Sequence, residues 1–321
     1  MTTIKDVAKK ANVSIATASR ALRKIGYLSK KTYDKVLAAS NELGYIANAS
    51  AQQLRTTVTN TVGVIVSDIN NEFYFNSLST LESTLNKMNK NLLLAFSSEN
   101  PAAERDSFQS LIASRVTCII FTPVCSTNHA IIETAKQNGI KVIQLFRKIY
   151  DDIDTIINDD ESGCYLATQH LLQENCKRLL LIEVKYDYLD FDTVTPKRSD
   201  GFVTAITEYG DKIEHKVLHY PLIQPNISVL SSYITTFQPD GIIAGVNASG
   251  LHALKCLKLL GLIDKVKIVI FDDDPWLEFG AITAVKQNLT TVTDAICNCL
   301  SIIDGKQVFE KVQPSLIVRN T

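Results

Sequence analysis

Residues 13–22 read VSIATASRAL, and their types and spacing suit contact with a polyanion. Wound as a helix capped by Ser14, the stretch turns Ile15 or Ala18, then Ala21 and Leu22, inward. Its outward face carries Ala16, Thr17, Ser19, Arg20 and Arg23. Hydroxyls and a guanidinium on one face donate to phosphate oxygens and base edges, and a short helix fits the major groove of DNA. Elsewhere the reactive side chains are not arranged for catalysis. Asp272, Asp273 and Asp274 are consecutive, so their carboxylates diverge, and no His or Cys stands at ligand spacing nearby. His129, His170, His215, His219 and His252 are scattered, and Cys297 and Cys299 fall on different faces of a helix. No phosphate-cradling glycine loop or nucleophile elbow occurs. No catalytic group, metal or cofactor is therefore expected.

The elements that must position the outward face are short helices. Ile4, Val7, Ala8 and Ala11 follow helical spacing, Asn12 interrupts it, and the two helices make a helix-turn-helix. A third helix is predicted from a Ser29 cap, with Tyr33, Val36, Leu37, Ser40 and Leu43 on one side and Gly44 stopping it. Charge follows the same division. Residues 1–58 hold ten Lys/Arg against three acidic residues, +7, while the rest holds 23 against 31, −8, within a net charge of −1. A basic head on an acidic body directs a polyanion to the head alone. The polar stretch 46–60 is too short for a stable isolated helix and reads as a hinge.

From Thr61 onward, apolar strands alternate with amphipathic helices. Buried strands are predicted at 62–66, 92–95, 118–121, 142–146, 178–183, 240–245 and 267–271, with helices between them such as 161–173 and 248–260. The expected fold is a small all-α head followed by an α/β body of two parallel-sheet lobes, with a ligand cleft at the carboxyl ends of the strands. The boundaries expected are a head at 1–46, a hinge at 47–60 and a body at 61–321. Lobe 1 takes about 61–158 and 288–316, and lobe 2 about 159–287 and the C-terminus. The acidic aromatic run 185–192, KYDYLDFD, reads as a solvated loop rather than as a border of the cleft. No signal peptide and no membrane span is read, and seven cysteines set mostly in apolar segments suit a reduced, cytoplasmic protein.

Specific motifs then add a resemblance. TIKDVAKKANVSIATASRAL, YLSKKTYDKVLAASNELGYIAN and AQQL resemble the head and hinge of the LacI/GalR family of bacterial repressors. VIVSDINNEFY, YLATQHL, RSDGF, GIIAGVN, VIFDDDPW and AITAVKQ follow in the family's order through the body. The resemblance implies a DNA-binding transcription regulator, at least dimeric, whose body is similar to periplasmic sugar-binding proteins. Its implied partners are double-stranded operator DNA with pseudo-palindromic symmetry and a sugar, sugar acid or sugar phosphate effector that controls expression of a carbohydrate-utilisation operon.

By position, the resemblance implies that Ile15, Ala16 and Arg20 meet base edges. Ser14, Thr17, Ser19, Tyr27, Ser29 and Thr32 would position the head on phosphates. Leu54, beside Ala51, would wedge into the minor groove, with Asn48 and Arg55 alongside. Ala47 stands where the family often has proline. In the body the implied effector residues are Phe73, Arg147, Arg198, Asn247, Asp272 and Trp276. Phe146 and Ala248 stand where relatives carry polar residues. Arg147, Arg198 and Lys286 together could favour an anionic effector, unless Asp159, Asp160 or Asp273 pairs with them. The alternative reading, a solute-binding protein with no DNA role, lacks an explanation for the basic head.

Overall fold

The computed structural model describes residues 2–22, 25–45, 59–68, 71–185, 197–210, 212–221, 225–302 and 306–320. They fall into two compact units, 1–59 and 60–321. In the first, α1 (Ile4–Lys10), α2 (Ile15–Leu22) and α3 (Lys30–Glu42) pack around Val7, Ala8, Ala11, Ala18, Ala21, Val36 and Ala39. The core is small and alanine-rich, which lets the helices approach closely. Asn12 makes the turn at φ 49°, a left-handed conformation that asparagine tolerates. Ser14 Oγ accepts from Thr17 N at 3.1 Å and Ser29 Oγ from Thr32 N at 3.2 Å, so both predicted caps form. One inward position differs from expectation. Leu37 is 41 % exposed, and Ala39 fills the core in its place because it lies three residues beyond Val36 on the same face.

The second unit holds two sheets of one topology. The first sheet comprises β1 (Thr61–Val66), β2 (Asn91–Phe96), β3 (Cys118–Phe121), β4 (Lys141–Leu145), β5 (Asp154–Asn158) and β11 (Phe309–Val312), in the order β11-β5-β4-β3-β1-β2. The second comprises β6 (Arg178–Lys185), β7 (Glu214–Pro221), β8 (Gly241–Ala244), β9 (Lys267–Phe271), β10 (Thr283–Lys286) and β12 (Ser315–Ile317), in the order β12-β10-β9-β8-β6-β7. Every pairing is parallel except β10 with β12. The short antiparallel β12 overturns one expected boundary: residues 315–317 belong to the second sheet. The chain has already crossed between lobes at Gln313-Pro314, where proline suits an edge connection rather than a ladder.

The helices cover both faces of each sheet, as burial of fully apolar parallel strands requires. They are α4 (Glu72–Lys87), α5 (Pro101–Ala113), α6 (His129–Gln137) and α12 (Leu289–Ser301) on the first lobe. The second carries α7 (Asp160–Gln173), α8 (Arg198–Tyr209), α9 (Ile227–Phe237), α10 (Asn247–Leu259) and α11 (Pro275–Phe279). Among the described residues each lobe holds two large apolar clusters, one per sheet face; Ile65, Phe108 and Phe121 centre one of them and Leu180, Ile242 and Ile270 another. Helix α8 lies directly on α7 at Gly201, where an added Cβ would sit 2.0 Å from the Glu161 carbonyl oxygen.

Three crossovers join the lobes: Asn158 to Asp160, Lys286 to Leu289, and Val312 to Ser315. They are stapled to one another. Asp159 caps α7 through Ser162 N at 3.0 Å and also takes Gln313 Nε2 of the third crossover at 2.7 Å and Lys311 Nζ of the adjoining β11 at 2.9 Å. Burial alone would raise the Asp159 carboxyl, but Lys311, Ser162 and Gln313 together hold it down at about 2. Gln287 Nε2 of the second crossover reaches Asp160 Oδ1 at 3.4 Å.

Candidate functional site

In the head, the exposed surface of α2 presents Ser14, Ile15, Ala16 and Arg20, with Thr17 and Ser19 half-buried beside them. Ile15 is 46 % exposed, an apolar group on a polar face, suited to a thymine methyl. Tyr27 is 98 % exposed between α2 and α3, and Ser29 and Thr32 open α3. Neither α2 nor α3 has an acidic residue in its first turn, so the positive ends of both helix dipoles are left for phosphates. Asn48, Ala51, Leu54 and Arg55 lie outside the described residues, as do Arg23 and the 186–192 part of the acidic aromatic run.

In the body, residues at the carboxyl ends of strands from both sheets line one cavity between the lobes. Phe146 follows β4 and Asp272 follows β9, each the first residue past its strand and each in the left-handed region, at φ 65° and 69°. Their backbones are held alike: Phe146 N donates to Ile156 O and Asp272 N to Val285 O, both at 2.9 Å. Strained conformations at equivalent places in the two lobes aim an aromatic ring from one side and a carboxylate from the other. Phe73, Tyr74 and Phe146 form an aromatic wall, with Phe73 and Phe146 ring centroids 4.6 Å apart.

Of the six effector residues expected, Phe73, Arg147, Arg198 and Asp272 line this cavity. Asn247 is the first residue of α10 and turns its amide nitrogen to Asp274 and to the Asp272 carbonyl, at 3.4 Å from the latter. Trp276 is half-buried and packs on the core of the second lobe. Both arginines carry carboxylate partners. Arg147 makes a two-pronged contact with Glu99, at 2.7 and 2.8 Å, in a site where both side chains are buried. Arg198 holds Asp160 Oδ1 at 2.7 and 3.1 Å, bonds the Gly245 carbonyl and stacks 4.3 Å over the Phe271 ring. The Asp160 pairing is the alternative weighed above for Arg198; Glu99 was not foreseen for Arg147. Asp159 and Asp273 take Lys311 and Arg319 instead, and Lys286 is exposed. The arginines therefore do not stand as bare cations.

Among the lining residues that the sequence does not single out are Tyr74, Glu183 and Gln287. Glu183 had a signal, because it ends the strand read at 178–183, as Phe146 ends the one read at 142–146. It accepts from Ser199 N at 3.1 Å, and burial raises its carboxyl against the pull of Arg198 and His219. Burial likewise raises Asp272, to about 7, Arg198 opposing and Asp160 adding to the rise. At the rim, Asn76 of α4 donates to Asp274 Oδ1 across the cleft at 3.3 Å.

The Asp272 shift has a measurable consequence. The carboxyl's reference value is 3.8 and its folded value about 7, so the folded protein holds the extra proton between them. Stability from this group therefore falls as pH rises through that window. Asp272→Asn, which keeps the left-handed backbone accessible, is expected to raise the melting temperature more at pH 8 than at pH 5, both about these limits. An equal change at both would contradict the assignment.

Geometry thus defines a class: a helix-turn-helix unit for DNA followed by a two-lobed unit with a polar and aromatic cleft for a small molecule. Comparisons with characterised families agree with it. Residues 3–48 match "Bacterial regulatory proteins, lacI family", and residues 59–316 match "Periplasmic binding proteins and sugar binding domain of LacI family". The chain is 30 % identical over 304 residues to a sucrose operon repressor of Pediococcus pentosaceus, covering 92 % of this chain and 90 % of that one. It is 30 % identical over 281 residues to a ribose operon repressor of Halalkalibacterium halodurans, covering 86 % and 81 %. A solved structure of the lac repressor dimer bound to operator and the anti-inducer ONPF shares the fold, with a TM-score of 0.82 at 22 % identity over 99 % of this chain and 98 % of that one. The chain belongs to the LacI family of bacterial regulatory proteins. Among the described residues, no helix is long and apolar enough to cross a membrane.

Proposed function

We propose that this protein is a cytoplasmic homodimer that represses a carbohydrate-utilisation operon, with operator affinity set by a carbohydrate held between the lobes. The observation that carries this reading is the Arg198–Asp160 pair, which joins the cleft to the crossovers. Asp160 opens α7 directly after β5 and is also reached by Gln287 of the second crossover. A ligand that engages Arg198 therefore acts on the segments about which the lobes rotate. Such a ligand shifts operator affinity only as far as it favours one lobe arrangement over the other. Exposed apolar side chains on the body, among them Phe279 at 96 % and Leu251 at 43 %, support burial against a second copy. Two copies present two α2 faces, which suits a pseudo-palindromic site.

In the head, Arg20 reads one base position. Arg20→Ala is expected to cost about 1–3 kcal/mol of operator affinity and to relax preference at that position alone. Binding selection with randomised palindromes checks this; a variant that keeps full preference at every position would refute the assignment. The carbohydrate reading is tested by titrating operator binding of the full chain with candidate sugars at fixed salt, because phosphate contacts make the affinity salt-dependent. A sugar that changes operator affinity supports it, and sugars that bind without any such change overturn it.

A further inference from the structure

Charge in the cleft is unbalanced. Among the described residues that line it, the two cations, Arg147 and Arg198, are each ion-paired with a carboxylate, Glu99 and Asp160. Two more carboxylates line the same cavity, Asp272 from the second lobe's β9 end and Glu183 from its β6 end. Among the described residues neither has a lysine or arginine ion-pair partner; His219, 52 % exposed, lies 3.5 Å from Glu183 Oε2. Both are buried, at 8 % and 4 % exposure; Arg198 pulls on each but is ion-paired with Asp160, and burying a charge with so little counter-charge is costly. On the opposite side stands the aromatic wall of Phe73, Tyr74 and Phe146.

Resting on the cleft reading above, we propose that the effector is a cationic carbohydrate, a polyhydroxylated ring bearing a protonated amine. Asp272 and Glu183 supply the negative charge, and the aromatic wall offers its faces to the ring and to the ammonium group. An anionic sugar would meet two unmatched carboxylates while both arginines are already engaged. A neutral sugar would satisfy hydrogen bonds but leave the charge uncompensated. Burial displaces Asp272 and Glu183 upward, and Arg198 opposes the rise in both, so a further cation at the cleft would favour their charged forms.

The test uses the full chain and matched probes on one ring: 2-amino-2-deoxyhexoses, the parent neutral hexoses, and the corresponding uronic acids and 6-phosphates. Melting temperature and operator affinity are read for each. A ligand of the folded state raises the melting temperature by mass action. The amine is expected to bind about tenfold more tightly than its parent, or better. Asp272→Asn and Glu183→Gln, each checked for folding by its unliganded melting temperature, should each reduce that preference. If a neutral or acidic sugar binds as well as its amine counterpart, the proposal falls while the cleft reading stands. If none of the sugars raises the melting temperature or alters operator affinity, both fall.

Discussion

Replacing Arg198 by alanine is expected to uncouple the protein from its effector and to destabilise the body. The guanidinium is 11 % exposed and faces Asp160, also 11 % exposed, so its removal leaves a carboxylate without its cation in a low-dielectric site. Asp272 loses the pull of the guanidinium that lowers it, and the Gly245 carbonyl and the Phe271 ring lose their contact with it. Removing one member of a buried pair costs about 3–5 kcal/mol, visible as a lower denaturation midpoint. Effector affinity should fall by roughly thirtyfold or more, since about 2 kcal/mol or more attends loss of a buried hydrogen-bonded charge. The head remains intact, so the variant should still prefer its operator yet no longer respond to effector. Removing Asp160 as well should cost less than the sum of the two single changes. A variant with normal stability and a normal effector response would show that the pair neither supports the lobe nor links the cleft to the crossovers.

The second large effect is expected at Gly201, in the RSDGF stretch immediately after Arg198. Helices α7 and α8 touch there through backbone, and an alanine Cβ would meet the Glu161 carbonyl oxygen at 2.0 Å, its carbon at 2.9 Å and Tyr165 N at 3.0 Å. None of these atoms belongs to a flexible side chain, so relief requires α8 to move away from α7 as a body. Overpacking a well-filled site costs about 1–3 kcal/mol, and a clash with main chain belongs at or above the top of that range. Because Arg198 stands in the first turn of α8, the displaced helix also carries the guanidinium off Asp160. Gly201→Ala should therefore lower both the denaturation midpoint and effector affinity. A control such as Val203→Ala, at an exposed position two residues on, should leave both near wild type. Equal behaviour of the two variants would contradict the close approach.

How much of this was legible beforehand depended on burial. Strands buried on both faces announce themselves as apolar runs, as Cys118–Phe121 and Lys267–Phe271 do. The strands that were missed are edge, near-edge or short. Half of β7 and most of β11 are exposed, with polar residues at many positions, and β12 spans three residues, so none offers a continuous apolar run. The head was readable because caps and helix spacing are local; Leu37 was misplaced because periodicity alone does not say which neighbouring position meets the other helices.

The site divides along the same line. Phe146 and Asp272 stand at strand ends, and strand ends can be read from a sequence. What Arg147 does there depends on Glu99, 48 positions earlier, and what Arg198 does depends on Asp160, 38 positions earlier. Those pairings exist only once the strands are ordered in their sheets. They decide between the two options the sequence leaves open, free arginines or paired ones, in favour of pairing.

The most direct test of the account is operator affinity of the full chain measured with and without a bound carbohydrate, at one salt concentration and in both wild type and Arg198→Ala. Both proteins are expected to bind sequence-selectively, and the wild type alone to change with ligand, within the roughly 5–150-fold range of allosteric coupling. Absence of sequence preference in every ligand state, or an equal ligand response in the arginine variant, would contradict it.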